Sequence, residues 1–503
     1  MKHLKPVAKA ISPHRRALPL MALLLVTGCA VGPDFQKPAP PDVSGYTATP
    51  LTPTAATPNV AGGEAQTFDM GHDISGDWWT LFHSKPLNDL IDQSLANNHD
   101  LKAAQAALRA ARENMLAQKG AYYPTVTAGV AAARYSQPGT LAPVPSNNAF
   151  EYNLFTPEVE VSFAPDIFGL NQRTVESLKA QEQATRFQLV ATYTTLTSNV
   201  VVTAIQQAAT QEQIDATREQ IDADTKALEI LRYQLKKGYA SGVDVAGQQA
   251  QLASVAAALP PLAKQLAQLR DMQADLAGQF PNQAPPQNFT LESLQLPQDI
   301  PVSLPSALVA QRPDVRQAEE NLHAASAAIG IAVANRLPNI QLTGNAGSEA
   351  LLFSKIFAPG TGFWTIAAGL TQPIFDGGKL LHGERGARDA YVQALEQYRS
   401  TVLSAFQNVA DTLAALQQDA EALKAAAVAA DAAKVTRDLT QRQLKDGYVG
   451  TLALLNAEQA YQQARVALIQ AQADRYADTA ALFQALGGGW WHRTDITGDK
   501  HDQ

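Results

Sequence analysis

The chain has 503 residues, of which 46% are hydrophobic, 7% aromatic and 17% charged, and its formal net charge is −8. That balance excludes a nucleic-acid binder, whose surface is basic, and a single cysteine excludes a disulfide framework or a cysteine-rich metal centre. Few aromatics among many small residues predict long helices, and beyond the N-terminus no run is apolar enough for a transmembrane helix.

Residues 1–28 read as a secretory signal. Lys2, Lys5, Lys9, Arg15 and Arg16 form a basic start, and the apolar run 17–26 is too short to span a bilayer. The run ends in Leu25-Val26-Thr27-Gly28-Cys29, which resembles a bacterial lipobox, so Cys29 is the expected lipid-bearing first residue of the mature chain. Acyl chains bind membranes with about 0.8 kcal/mol per buried methylene, and several together hold firmly. Ala30 in place of Asp after the cysteine resembles sorting to the outer membrane. Loss of the signal leaves 34 basic against 47 acidic residues, a net charge of −13. Residues 29–80 are expected to be a Pro/Thr-rich tether, flexible or extended, behind the lipid.

The rest of the chain is a tandem duplication. Asn98-His99-Asp100-Leu101 aligns with Arg312-Pro313-Asp314-Val315, Tyr123-Pro124 with Leu337-Pro338, and Gln234-Leu235-Lys236-Lys237-Gly238-Tyr239 with Gln443-Leu444-Lys445-Asp446-Gly447-Tyr448. We assign 81–280 to the first copy, 281–305 to a Pro-rich connector, 306–487 to the second copy and 488–503 to a flexible tail. Each copy runs helix, two strands, a very long helix, a glycine break and another long helix. Period-two alternation predicts strands over 125–135, 158–163, 338–345 and 363–372. Proline-free stretches predict helices over 170–237 and 379–446, each on the order of 100 Å at 1.5 Å per residue. Ile214, Ile221, Leu228 and Leu235 recur every seven residues, as do Leu395, Val402, Val409, Leu416 and Leu423, which predicts coiled-coil packing. Leu455, Ile469, Tyr476 and Phe483 fall on a further seven-residue lattice.

With their flanks, the strands reach the length that crosses a membrane, one face apolar and the other polar. Open sheet edges cannot face lipid, and known barrels need at least eight strands, so four per chain require several chains to share one barrel.

The sequence resembles TolC-type outer-membrane efflux proteins of the NodT/OprM-like lipoprotein branch over nearly the whole mature chain. The resemblance is carried by Gly28-Cys29-Ala30-Val31-Gly32-Pro33-Asp34-Phe35, by Arg312-Pro313-Asp314-Val315-Arg316-Gln317-Ala318-Glu319 and by Gln372-Pro373-Ile374-Phe375-Asp376-Gly377-Gly378. Phe163-Ala164-Pro165-Asp166 departs from the family's usual Trp-Glu-Leu/Ile-Asp. The resemblance implies a mainly α fold with a membrane β-barrel. A homotrimer would share 12 strands, above a periplasmic coiled-coil tunnel and a mixed equatorial region.

It also implies an efflux duct rather than an enzyme. His382-Gly383-Glu384 lacks zinc-hydrolase spacing, and neither a phosphate loop nor a nucleophile elbow occurs. No cofactor is expected apart from covalent lipid on Cys29. The implied partners are further copies of the chain, a periplasmic adaptor, an inner-membrane transporter of the RND type and outer-membrane lipid. Gly238 and Gly447 suit left-handed helix ends beside Lys236, Lys237 and Lys445, and Asp244 and Thr451 are placed to cap the restarting helices. By position after the glycine, Asp244 matches a family constriction acid and Leu452 an apolar gate residue. Asn456 stands where the family often has Asp, with Asp446 as a partial substitute. Gly238, Tyr239, Gly447 and Tyr448 are the expected adaptor-contact tips. The alternatives are an outlet for secreted polypeptides and a non-conducting periplasmic scaffold.

Overall fold

The computed structural model describes residues 30–137, 150–283 and 289–496, so the expected lipidation at Cys29 lies outside the described residues. In chain order the elements are β1 (Thr67–Met70), α1 (Lys85–Asn97), α2 (His99–Lys119), β2 (Thr125–Gln137), β3 (Phe150–Phe163), α3 (Leu170–Lys236) and α4 (Gly242–Leu276). After the connector come β4 (Asp299–Val302), α5 (Pro305–Gln311), α6 (Pro313–Ala334), β5 (Asn339–Ser348), β6 (Gly362–Thr371), α7 (Lys379–Lys445) and α8 (Thr451–Ala485). The duplication is visible in the lengths: α3 and α7 each have 67 residues, and α4 and α8 each have 35. The chain forms two compact units.

The first unit comprises residues 30–37, Ala110–Glu182 and Glu320–Glu396 and carries a four-stranded antiparallel sheet of order β2-β3-β5-β6. The register sorts the side chains by polarity. Val126 pairs with Val161, which pairs with Gly344 and then Ile366; Ala128, Val159, Ala346 and Trp364 form the next apolar row. On the opposite face Thr127, Glu160, Asn345 and Thr365 line up, as do Thr125, Ser162 and Thr343. Gln341 Nε2 donates to Ser162 Oγ at 2.5 Å and Asn345 Nδ2 to Glu158 Oε2 at 3.3 Å, so the polar face is knitted across strands. The apolar face is bare: Val126, Val130, Trp364, Ile366 and Leu370 are exposed. Among the described residues β2 and β6 each keep one unpaired edge.

The start of the described chain is anchored in this unit. The buried Arg173 guanidinium bonds the Val31 carbonyl at 3.0 Å, Asp34 at 2.8 Å and Glu176 at 2.7 Å. The Phe35 ring stacks on His323 at 4.3 Å, and that imidazole reaches Glu176 at 3.0 Å. Gly32, at φ +94°, crosses Gly330 so closely that a Cβ would lie 2.4 Å from its Cα, so both positions require glycine.

The second unit comprises Pro38–Arg109, Gln183–Glu319 and Gln397–Gln503. Its core is built on α7, where Val402, Ala405, Val409, Leu413, Leu416, Ala420, Leu423, Ala427 and Ala430 are buried at spacings of three or four. That spacing is a coiled-coil seam, and alanines in it let neighbouring backbones approach. Trp78, Phe82, Tyr476 and Phe483 belong to the same core, with Trp78 stacked on Phe483 at 5.2 Å. The short parallel pair β1-β4 was not expected from periodicity.

Two expectations change. The residues expected to be a tether are bound: Arg475, with no solvent exposure, bonds Thr54 Oγ1 at 2.9 Å and the Glu64 carbonyl, while Gln66 Nε2 donates to Thr479 Oγ1 at 3.1 Å. A strap of little regular structure is thus bound because buried polar groups on α8 need its backbone as partner. The segment expected to be a flexible tail from 488 is fixed through 496. Trp490 Nε1 donates to the Gln311 carbonyl at 2.6 Å, Trp491 Nε1 to Asp73 at 2.8 Å, and Ile496 is 5% exposed. Its aromatics and Ile496 outweigh its polar average; residues 497–503 lie outside the described residues.

Candidate functional site at the hairpin tips

Both long hairpins of the second unit turn in the same way. At the first, Gly238 has φ +78°, Tyr239 N donates to the Gln234 carbonyl at 2.9 Å and Gly238 N to that of Leu235 at 3.0 Å. At the second, Gly447 has φ +77°, with Tyr448 N to Gln443 at 2.8 Å and Gly447 N to Leu444 at 3.1 Å. These paired bonds satisfy the last free carbonyls of α3 and α7 and require a left-handed residue, which glycine adopts without strain. Tyr239 and Tyr448 stand beyond the turns, 84% and 81% exposed.

The restarts differ from expectation. Ser241, not Asp244, is the N-cap of α4: its Oγ accepts from Asp244 N at 3.2 Å, while Asp244 Oδ2 accepts from Ser241 N at 2.9 Å and Ser241 Oγ at 2.6 Å. The pattern Ser-x-x-Asp was legible as a capping box but went unread. These bonds to its charged form hold the Asp244 carboxyl below the usual carboxylate range, with a contribution from Thr451. At the second tip Gly450 is the N-cap and offers no side chain, so Thr451 is the first residue of α8 rather than its cap.

The first turn of α8 carries the apolar gate candidate. Leu452 is 70% exposed, and Asn456 one turn on is exposed as well. Asp446 is exposed at the end of α7. The two restarts approach each other: Thr451 is near enough to help lower the Asp244 carboxyl, and a Cβ at Gly247 would touch Leu455 Cδ1 at 3.5 Å. The structure thus brings Asp244 to the start of α8 and leaves the two tip tyrosines and Leu452 in solvent. Among the described residues no cluster of three metal-ligating side chains occurs.

Below the tips lies a polar node that sequence reasoning missed. Asp224 on α3, Gln248 on α4 and Glu458 on α8 are all buried within the coiled coils. The signal was a charged residue at a helix position flanked by apolar heptad positions, here Asp224 between Ile221 and Leu228.

Comparison with known proteins decides the family. The model for outer membrane efflux proteins matches residues 90–274 and 304–488, one match for each copy of the duplication. The chain belongs to the outer membrane efflux protein family. The pyoverdine export outer membrane protein OpmQ of Pseudomonas putida is 28% identical over 464 residues, 88% of this chain and 94% of that protein. The toluene efflux pump outer membrane protein TtgC, also of Pseudomonas putida, is 28% identical over 477 residues, 93% of this chain and 94% of that protein. The solved outer-membrane channel OprN superposes with a TM-score of 0.81 at 26% identity, over 92% of this chain and 100% of that one. The mainly helical fold with a four-stranded membrane-type sheet is that of the family's outer-membrane channels.

Proposed function

We propose that this protein is the outer-membrane duct of a tripartite efflux pump, anchored through lipid on Cys29 and passing small molecules outward without chemistry of its own. The observation that carries the reading is the sheet of the first unit, apolar on one face, polar on the other and open at both edges. An open edge is untenable in hydrocarbon, so closure by further copies is the physical solution, and three copies supply 12 strands. The polar face then lines water and the Val126–Trp364 face meets lipid.

The helical hairpins of the second unit are read as the walls of a periplasmic tunnel. Energy comes from an inner-membrane transporter of the RND type, and a periplasmic adaptor meets the exposed Tyr239 and Tyr448 tips. Symmetry-related Leu452 side chains form an apolar ring that blocks water by dewetting, and Asp244 carboxylates supply negative charge that favours cations. Opening follows from helices sliding past one another, a shear change. Pyoverdine and toluene, named for two relatives at the same identity, differ so much that cargo resides in the upstream transporter rather than in a site on this chain.

Purified full-length protein in planar bilayers tests the duct directly: stepwise conductance is expected, and its absence overturns the reading. A deletion strain sensitised to small toxic compounds, with polypeptide secretion intact, separates efflux from a secretion outlet.

A further inference from the structure

The polar node below the tips has a feature that a static coiled coil does not need. Asp224 is fully buried and Glu458 is 8% exposed. Asp224 Oδ1 is satisfied, accepting from Gln220 Nε2 at 3.1 Å and from Gln248 Nε2 at 3.2 Å; Gln248 Nε2 also reaches the Asp224 carbonyl at 3.3 Å. Asp224 Oδ2 and Glu458 Oε2 are buried without a hydrogen-bond partner, and the two carboxyls are neighbours: Glu458 lines a cleft with Ala223, the residue before Asp224, and the Asp224 charge acts on it. Two acceptor oxygens shut away from water satisfy one another only with a proton between them. Burial and the facing Asp224 push the Glu458 carboxyl up to about 7, and burial likewise raises Asp224.

The cation that faces the pair opposes the rise of Glu458 but is shared with other partners. On α7, Arg437 is the charge that faces the pair, but it is engaged by Asp438 at 2.6 Å and lies over the Tyr461 ring at 4.2 Å. On α3, Glu219 pairs with Arg465 of α8 at 2.6 Å, and Asp222 and Lys226 line a cleft of about 480 Å³ beside Glu458, with Gln441 of α7 and Leu454. α4 presents Gln248. Asp224 lies 14 residues before Gly238, about 20 Å along the helix, so the node ties the first hairpin to the second close to the mouth.

We infer that Asp224 and Glu458 form a proton-sharing latch that holds the two hairpins of the second unit together near their tips and releases them when the shared proton is lost. With the carboxyls raised in the folded protein, the latch is complete below the ordinary carboxylate range and is lost as pH rises through about 7. Two facing carboxylates in a low-dielectric seam then repel, and the adjoining cleft gives them water once the helices part.

This inference rests in part on the duct reading, and the test separates the two. In planar bilayers from pH 5.5 to 8.5, full-length protein is expected to gain severalfold in open probability, with a midpoint near 7. The double substitution Asp224→Asn with Glu458→Gln keeps the hydrogen bond without a titrating group, and should hold the channel at its acid-side level throughout. Asp419→Asn, which removes a second raised carboxyl farther up α7 beside Asp478, should leave the response in place. A flat wild-type profile, an unshifted midpoint in the double variant, or loss of the response in Asp419→Asn alone overturns the latch. Hydrogen exchange on the wild type decides the matter independently of conduction and of variant folding. Amides of 451–458, corrected for intrinsic rate, should exchange about tenfold faster at pH 8 than at pH 5.5, whereas equal protection overturns the proposal. A protein that conducts at no pH sinks the duct reading while leaving the exchange experiment to judge the latch.

Discussion

The two hairpin tips began as copies and now differ in one respect that matters. Their left-handed turns are superimposable in logic: the same glycine, the same pair of backbone bonds and the same exposed tyrosine follow α3 and α7. The restarts have diverged. α4 begins with a reciprocal Ser241–Asp244 capping box, whereas α8 begins at Gly450 with no side-chain cap. Four amides at any helix start lack intrahelical partners, and those left uncapped fray. On the duct reading we propose that the first tip is the fixed jaw and the second, which carries Leu452, the moving one.

The largest effect on that contrast is expected in conduction. Leu452→Ser replaces a side chain that is 70% exposed, so folding should be unaffected while closed channels leak. Single-channel conductance or bulky-antibiotic sensitivity should rise severalfold; an unchanged value in a correctly assembled variant removes Leu452 from the gate. Next come the glycines. A Cβ at Gly238 or Gly447 meets nothing within 4 Å, so the cost of Gly238→Ala or Gly447→Ala is the left-handed backbone alone, about 1–2 kcal/mol. Equal increases in local hydrogen exchange at the two tips are expected, and a large inequality would show that one turn is held by something other than its own geometry.

Ser241→Ala strikes only the fixed jaw. Loss of the cap should cost on the order of 1 kcal/mol at the start of α4, read as roughly fivefold faster exchange of the first-turn amides. The Asp244 half of the box has its own pH signature. Its carboxyl is depressed in the folded protein, so its contribution is present above the unfolded value and vanishes as pH falls through the folded one. Acid below the ordinary carboxylate range should loosen the first tip, opposite in direction to the Asp224–Glu458 node, which tightens in acid.

Much of this was legible because the signals are long or repeated. A seven-residue lattice over Leu395–Leu423 and an offset near 210 residues between copies fix helix identity, and the structure places α7 within a residue of its predicted end. Strand existence was readable from alternation, yet β3 starts at Phe150 rather than 158 because Thr156-Pro157 breaks the pattern without breaking the pairing with Ala131 and Val130. The strap and the 490–496 segment were misjudged for one reason. Composition reports average polarity, while their binding depends on a few side chains, Arg475 and Trp490 among them, finding distant carbonyls. The acid node escaped because burial of Asp224 and Glu458 arises only when hairpins from opposite copies meet.

The smallest predicted effect is the sharpest test of the jaw comparison. Gly450 sits at φ −87° and ψ 166°, an extended conformation any residue accepts, and a Cβ there meets nothing within 4 Å. Gly450→Ser should therefore install the missing cap without strain. Serine exceeds glycine at this position by only a few tenths of a kcal/mol, which corresponds to roughly twofold slower exchange of the first α8 amides. If the uncapped start is what lets the second hairpin move, that small stabilisation should lower open probability by a similar factor, while a serine already present at the first tip explains why that hairpin stays put. A variant whose α8 amides are protected but whose opening is unaltered would place the hinge elsewhere along α7 and α8 and leave the missing cap a neutral divergence between the copies.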